Sequence, residues 1–163
     1  MSTNAWIVEG AALAIKSAAS DALPFEAGGI LIGVKAEGRP WILAAISVPS
    51  QETRRNAYKL PKDARPASVA LYREVEPRAG YLGDWHSHPA EVGPSGIDIS
   101  SMRSLGRGRR SPLLVLAVLI DGEFRLKAYQ VNSNYVETVC LAVSGPLESE
   151  KRDDYQSAQT ILS

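Results

Sequence analysis

The chain has few of the residues that several common protein sites require. It contains one cysteine among 163 residues, Cys140. An internal disulfide and a cysteine-based zinc cluster are therefore both excluded. A cysteine protease is excluded as well, because the two histidines of the chain lie together in another motif and neither is left to activate the Cys140 thiol.

An excess of charge of one sign and a long hydrophobic run are also lacking. Lys and Arg number 18, as do Asp and Glu, so the formal net charge is zero, and no basic surface favours nucleic acid as a partner. The longest apolar run, Leu113 to Ile120, is far shorter than the roughly 20 residues of a membrane-spanning helix. The N-terminus has no basic region followed by an apolar core. We therefore expect no membrane contact and a cytoplasmic location.

The length of the chain fits one domain, since domains typically hold about 100 to 200 residues. No repeat and no linker rich in Gly, Ser or Pro divides it. We predict one domain over residues 1–145. Residues 146–163 are mostly polar and are expected to form a surface helix or a loose tail.

The first half of the sequence predicts one helix and two strands. Apolar residues recur with helical spacing over 8–22, and Pro24 ends the pattern. Residues 26–35 and 41–49 are rich in apolar and β-branched residues, so an antiparallel pair is expected. Gly28, Gly29 and Gly33 lack the lysine and the strand-to-helix context of a phosphate-binding loop, and they are interpreted as bulge or close-approach positions.

The second half alternates helices with more strands. A helix is predicted from Asp63 or Ala67 to Val75, and a short one over 97–105. Strands are predicted at 79–89, 111–120, 123–131 and 135–145, with a hairpin at Asp121 and Gly122. The expected fold class is α+β, with a mixed central sheet flanked by helices.

Both histidines lie in the tetrapeptide His86, Ser87, His88, Pro89. In a strand, alternate side chains point to the same face, so both imidazoles would face one point, as metal ligands do. Asp98 follows ten residues later, in the first turn of the predicted short helix, and a carboxylate would complete a three-ligand zinc site with one position left for water. The alternative is that the two histidines only give polar cover to a surface strand.

The surrounding sequence resembles a known family. GDWHSHP followed by PSGIDISS resembles the core signature of the JAMM (MPN+, or JAB) zinc metalloproteases, and EAGGILIG resembles their first strand, which bears a glutamate. The resemblance spans roughly Phe25 to Leu105. Nine residues lie between His88 and Asp98, one fewer than is usual in the family, and the missing residue falls before Ser95.

This resemblance implies a single MPN/JAB-like domain, similar to the cytidine deaminases in fold, with one Zn²⁺ per chain held by His86, His88 and Asp98. It implies that Glu26 is the general base and that Ser95 stabilises the oxyanion. Without the histidine pair, Glu26 would be interpreted as a solvated acid at a strand entrance and Ser95 as a helix N-cap. Asp84 shares the strand face of the histidines and would orient an imidazole, or else be a solvated acid.

The resemblance also implies the reaction. Members of this family cleave after the C-terminal glycine of ubiquitin or ubiquitin-like proteins, and GDWHSHP is similar to bacterial JAB-type isopeptidases, including those linked to antiphage defence. The expected partner is thus a ubiquitin-like protein or its conjugates. Two alternatives stay open: a peptidase that processes a sulfur-carrier protein, and a non-catalytic MPN scaffold. The scaffold is disfavoured because Glu26, His86, His88, Ser95 and Asp98 are all present.

Overall fold

A computed structural model of the chain describes residues 4–51, 58–90, 99, 111–132 and 136–144. Helices and strands with assigned bounds in these ranges are, in chain order, β1 (Asn4–Val8), α1 (Glu9–Ala22), β2 (Gly28–Ala36), β3 (Arg39–Ser47), α2 (Ala64–Tyr72), β4 (Gly80–His88), β5 (Leu113–Ile120), β6 (Glu123–Val131) and β7 (Val136–Ser144). No helix within the described ranges is long and apolar enough to cross a bilayer.

The strands form one closed sheet in the order β1-β3-β2-β4-β5-β6-β7. Parallel pairs join β1 to β3, β4 to β5, and β1 to β7, and the other neighbours are antiparallel. The predicted mixed sheet with helices is thus present. Its closure into a barrel was not predicted, because it depends on β1, a five-residue strand whose partners lie far away in the sequence.

The core lies between α1 and the sheet. α1 buries Ala11, Ala12, Ile15 and Ala19 and packs mainly on β3. β5 is apolar along its whole length and its first six residues are buried, as expected for a strand that is covered on both faces. Trp85 of β4 is fully buried, and its indole Nε1 donates to the carbonyl oxygen of Ile46 at 3.2 Å. This core fixes the position of β4.

Two predicted elements differ from the structure. The first helix starts at Glu9, after β1, and the second ends at Tyr72 and not at Val75. Past Tyr72 the chain continues in hydrogen-bonded turns, with the Val75 amide donating to the Tyr72 carbonyl at 3.0 Å. Of the predicted helix over 97–105, only Ile99 is described, and it is helical. The predicted tail at 146–163 lies outside the described residues.

Gly33 is a close-approach position, as predicted. A β-carbon there would lie 1.9 Å from the carbonyl oxygen of Trp41, and the β2–β3 register shifts between Ile32 and Gly33. Only glycine fits this bulge without moving the backbone of β3.

Candidate active site

The two histidines face each other at the end of β4. Their Nε2 atoms are 3.1 Å apart, and their ring centroids are 4.9 Å apart. His86 is 8% exposed and His88 6% exposed, because β4 lies between β2 and β5, with Gly28 and Leu116 on either side of His86. Imidazoles this buried do not serve as polar cover of a surface strand. The predicted convergence of the two rings is confirmed.

The arrangement of these nitrogens fits a metal ion. Two ligands at about 2.0 to 2.1 Å from a tetrahedral zinc are about 3.3 Å apart, close to the observed Nε2 separation of 3.1 Å. The same 3.1 Å separation also fits an N–H···N hydrogen bond between the two rings. No group of three or more metal-ligating side chains occurs within the described residues, and the third predicted ligand, Asp98, lies outside them.

A hydrogen-bonded clamp joins the start of β2 to the histidine strand. The Ser87 amide donates to the carbonyl oxygen of Ala27 at 2.8 Å, and the Ala27 amide donates to the Ser87 hydroxyl, also at 2.8 Å. The strand register pairs Gly28 with His86. The ladder between β2 and β4 begins at this pair, and Ala27 and Glu26 continue the chain beyond it on the side of His88. The clamp therefore holds the residue next to Glu26 against the histidine strand.

Tyr58 forms a wall of the site over His86. The two rings are stacked with centroids 6.4 Å apart and planes inclined by 18°. The Tyr58 hydroxyl donates to the carbonyl oxygen of Val48 at 2.7 Å. Burial, and then the negative charge of Asp84, raise the pKa of Tyr58, while Arg65 lowers it, so the phenol stays protonated at neutral pH. A β-carbon on Gly28 would lie 2.5 Å from the Tyr58 ring, and this contact explains the glycine.

A groove of about 630 Å³ leads to Glu26. It runs between the second half of α1 and the end of β3, and Tyr58 and Gly28 line it near the histidines. Five of its other lining residues are alanines, namely Ala14, Ala18, Ala22, Ala27 and Ala45. Asp21, Ile46, Val48 and Pro49 line it as well. The short alanine side chains leave space open beside Glu26.

Asp84 lies on the same strand face as the histidines, but its carboxylate is hydrogen-bonded to Arg65 and Tyr81. Its two oxygens accept hydrogen bonds from Arg65 Nε at 3.1 Å and Arg65 Nη2 at 2.5 Å, and Tyr81 donates its hydroxyl to Asp84 at 2.7 Å. Burial alone lowers the pKa of Arg65, but its hydrogen bond to Asp84 and the charge of that carboxylate raise it overall. Asp84 is thus part of an ion pair and not a solvated acid. Its orienting role towards an imidazole stays a prediction.

Ser95 and Asp98 lie outside the described residues, so their predicted roles as oxyanion donor and third ligand stay predictions. Sequence reasoning had assigned no role to Tyr58, Arg65 or Ser87. Ser87 carried a weak signal, since it sits between the histidines and points to the opposite face. Tyr58 and Arg65 carried none, because they reach the site only through the tertiary fold.

This chain is similar to one protein family and to two curated proteins. Residues 9–133 match the family described as prokaryotic homologues of the JAB domain. Two curated relatives carry the name CD-NTase/cGAS isopeptidase. The protein from Pseudomonas aeruginosa (strain BWHPSA011 / Pa011) is 30% identical over 99 residues, which cover 58% of this chain and 62% of the relative. The protein from Escherichia coli (strain TW11681) is 33% identical over 97 residues, which cover 57% and 61%. The matches thus span less than two thirds of either relative.

Solved structures share the fold at low sequence identity. A solution structure of a protein from Desulfitobacterium hafniense superposes with a TM-score of 0.74 at 18% identity, covering 90% of this chain and 97% of the other. A crystal structure of a JAB1/MPN domain protein from Archaeoglobus fulgidus gives a TM-score of 0.52 at 22% identity, covering 86% and 98%.

Proposed function

The chain belongs to the prokaryotic homologues of the JAB domain, and we propose that it is a zinc-dependent isopeptidase that releases one protein from a lysine side chain of another. The observation that carries this proposal is the buried His86–His88 pair, with Nε2 atoms 3.1 Å apart, joined by the Ala27–Ser87 clamp to the strand entrance that bears Glu26.

His86 and His88 would hold the zinc ion together with Asp98. When bound, zinc would polarise the scissile carbonyl and supply a water nucleophile that ionises near neutral pH. The histidines must be neutral to bind it.

Glu26 would move the proton. Its carboxylate would accept a proton from the attacking water and donate it to the leaving lysine nitrogen, a role typically worth about 10² to 10⁴ in rate. Glu26 lines the groove, and the clamp holds the neighbouring Ala27 in place. Ser95 would donate a hydrogen bond to the developing oxyanion.

The groove at Glu26 would receive the C-terminal tail of the released protein. Its alanine walls and Tyr58 would contact this tail. The names of the two relatives make a CD-NTase the first candidate for the released protein. A ubiquitin-like protein that ends in glycine is the second. Action in the cytoplasm as part of antiphage defence belongs to the same proposal.

The test uses defined conjugates and the purified chain. A CD-NTase and a ubiquitin-like protein, each linked through its C-terminus to a carrier lysine, are incubated with the enzyme, and products are identified by mass spectrometry. The same proteins in linear fusion separate isopeptide from peptide cleavage. We expect release from the lysine that stops when zinc is chelated and returns when zinc is restored. A zinc-loaded chain that cleaves none of these substrates would leave the scaffold role as the better account.

A further inference from the structure

A second pocket lies at the opposite end of β4 from the histidines. Gly80, Tyr81 and Leu82 line it, whereas His88 ends the strand eight residues later. At about 3.3 Å per residue the two ends of this strand are about 26 Å apart. The pocket shares no lining residue with the groove at Glu26.

The lining of this pocket is basic. Lys35 reaches it from β2, Arg65 from α2, and Arg73 and Arg78 from the turns that follow α2. Its described lining includes no aspartate or glutamate. Four cations from three parts of the chain thus surround one space.

Two of these cations already have counterions. Arg65 pairs with Asp84, and the exposed Arg78 pairs with Glu76 at 2.9 Å. In the described part of the chain, Lys35 and Arg73 form no ion pair. Four cations less two carboxylates leave two positive charges uncompensated. Arg73 is also oriented, because its Nε donates to the carbonyl oxygen of Ala79 at 2.7 Å, which leaves its terminal nitrogens as donors.

The remaining walls suit an organic group. Pro40, Val69 and the ring of Tyr81 are apolar, and Arg65 lies over that ring with its guanidinium carbon 5.9 Å from the ring centroid. The Gln130 side chain also lines the pocket and is fixed by donating to the Ser111 carbonyl at 3.2 Å. The volume is about 770 Å³, within the roughly 300 to 1,000 Å³ of small-molecule sites and far more than a bare phosphate fills.

We propose that this pocket binds a small phosphate ester of the size of a mononucleotide. A phosphate monoester carries close to two negative charges at pH 7, which match the two uncompensated cations. Arginine forms paired hydrogen bonds with phosphate oxygens, and Arg73 and Lys35 are placed to hold them. The organic part lies along Pro40, Val69 and the Arg65–Tyr81 pair.

The test is titration of the chain with adenosine monophosphate, inorganic phosphate and adenosine, followed by calorimetry and by backbone amide NMR. We expect saturable binding of the monophosphate that perturbs the amides of Gly80, Tyr81 and Gln130. Phosphate is expected to bind more weakly and adenosine not to bind, and raised salt should weaken the binding.

Reversing the charge of a lysine that lines the pocket tests whether the monophosphate binds there. Lys35→Glu should weaken monophosphate binding at least about tenfold, since it removes a charge-assisted contact and adds a repulsive charge. Lys16→Glu on the exposed face of α1, which does not line the pocket, should leave binding unchanged. Both lysines are exposed, so both variants should fold, as circular dichroism can verify.

A His88→Ala variant separates this pocket from metal bound at the histidines, because a phosphate held by zinc would be lost with the metal. Binding that persists in His88→Ala and weakens in Lys35→Glu supports the proposal. Absence of saturable binding at millimolar monophosphate, or equal binding by Lys35→Glu and Lys16→Glu, would overturn it. The outcome does not depend on isopeptidase activity.

Discussion

Asp84 and the two histidines occupy alternate positions on one face of β4, yet they differ in how their polar groups are stabilised. The carboxylate of Asp84 is neutralised by a cation of the chain itself, Arg65, at 2.5 Å. The Nε2 atoms of His86 and His88 lie 3.1 Å apart, a separation that suits two ligands of one metal ion. One strand thus carries a carboxylate that the fold has already balanced, beside two imidazole nitrogens that converge on one point. In our proposal these two nitrogens hold zinc.

The ion pair should matter for the stability of the fold, and the histidine pair for metal binding and catalysis. Removing a partner from a buried ion pair leaves an uncompensated charge and lowers stability. Replacing one of two converging imidazoles removes a proposed metal ligand and breaks no ion pair that the described residues show. Mutations in the two regions should therefore affect different quantities.

The largest effect is expected at the histidine pair. His88→Ala should lose bound zinc, measured by elemental mass spectrometry, and its isopeptidase turnover should fall by more than about 100-fold, since mutation of groups that merely support a ligand already costs about 10- to 100-fold. Lys127→Ala on the exposed side of β6 serves as a control and should keep both. A His88→Ala protein with full zinc content would place the metal elsewhere.

At Glu26 turnover should fall while zinc stays bound. Glu26→Gln should keep about one zinc per chain but lose about 10² to 10⁴ in turnover, because the amide cannot accept the proton. Glu123→Gln, at an exposed position, should match the wild type. Undiminished turnover in Glu26→Gln would remove this residue from the mechanism, whatever the zinc content.

Loss of the Arg65–Asp84 ion pair should lower the stability of the fold. Arg65→Ala should lower the free energy of unfolding in urea by about 2 to 3 kcal/mol, somewhat less than for a fully buried pair, since the two side chains are 23% and 13% exposed. Adding Asp84→Asn should recover part of the loss by removing the unpaired charge. Arg78→Ala, in the exposed pair with Glu76, should produce no measurable change. No recovery in the double variant would mean that Arg65 stabilises through packing alone.

The smallest effects are expected from alanine substitutions at two glycines of neighbouring strands, Gly28 and Gly80. Gly28→Ala should cost about 1 to 3 kcal/mol of unfolding free energy, because its β-carbon would lie 2.5 Å from the Tyr58 ring. Gly80→Ala, at the other end of β4, meets nothing within 4 Å and should be neutral or stabilising by up to about 1 kcal/mol. Thermal unfolding of the two variants checks both values. Equal behaviour would show that Tyr58 moves aside without cost and does not wall the groove.

The sequence alone predicted the facing histidines, because alternate side chains of a strand point to the same face whatever the rest of the fold. It was also enough for the close approach at Gly33 and for the buried β5. It was not enough for β1, which is a strand only because β3 and β7 lie beside it. The Arg65–Asp84 ion pair and the basic pocket also depend on the fold, because they join residues from separate elements.

The parallel pair of β1 and β7 has a mechanical consequence. Its register runs from Asn4 opposite Cys140 to Val8 opposite Ser144, so the first residue of β1 and the last residue of β7 lie at opposite ends of the pair. A force that pulls these two residues apart acts along the strands and loads their hydrogen bonds together instead of opening them one after another. We therefore expect high resistance to extension in this direction, as single-molecule force spectroscopy can measure.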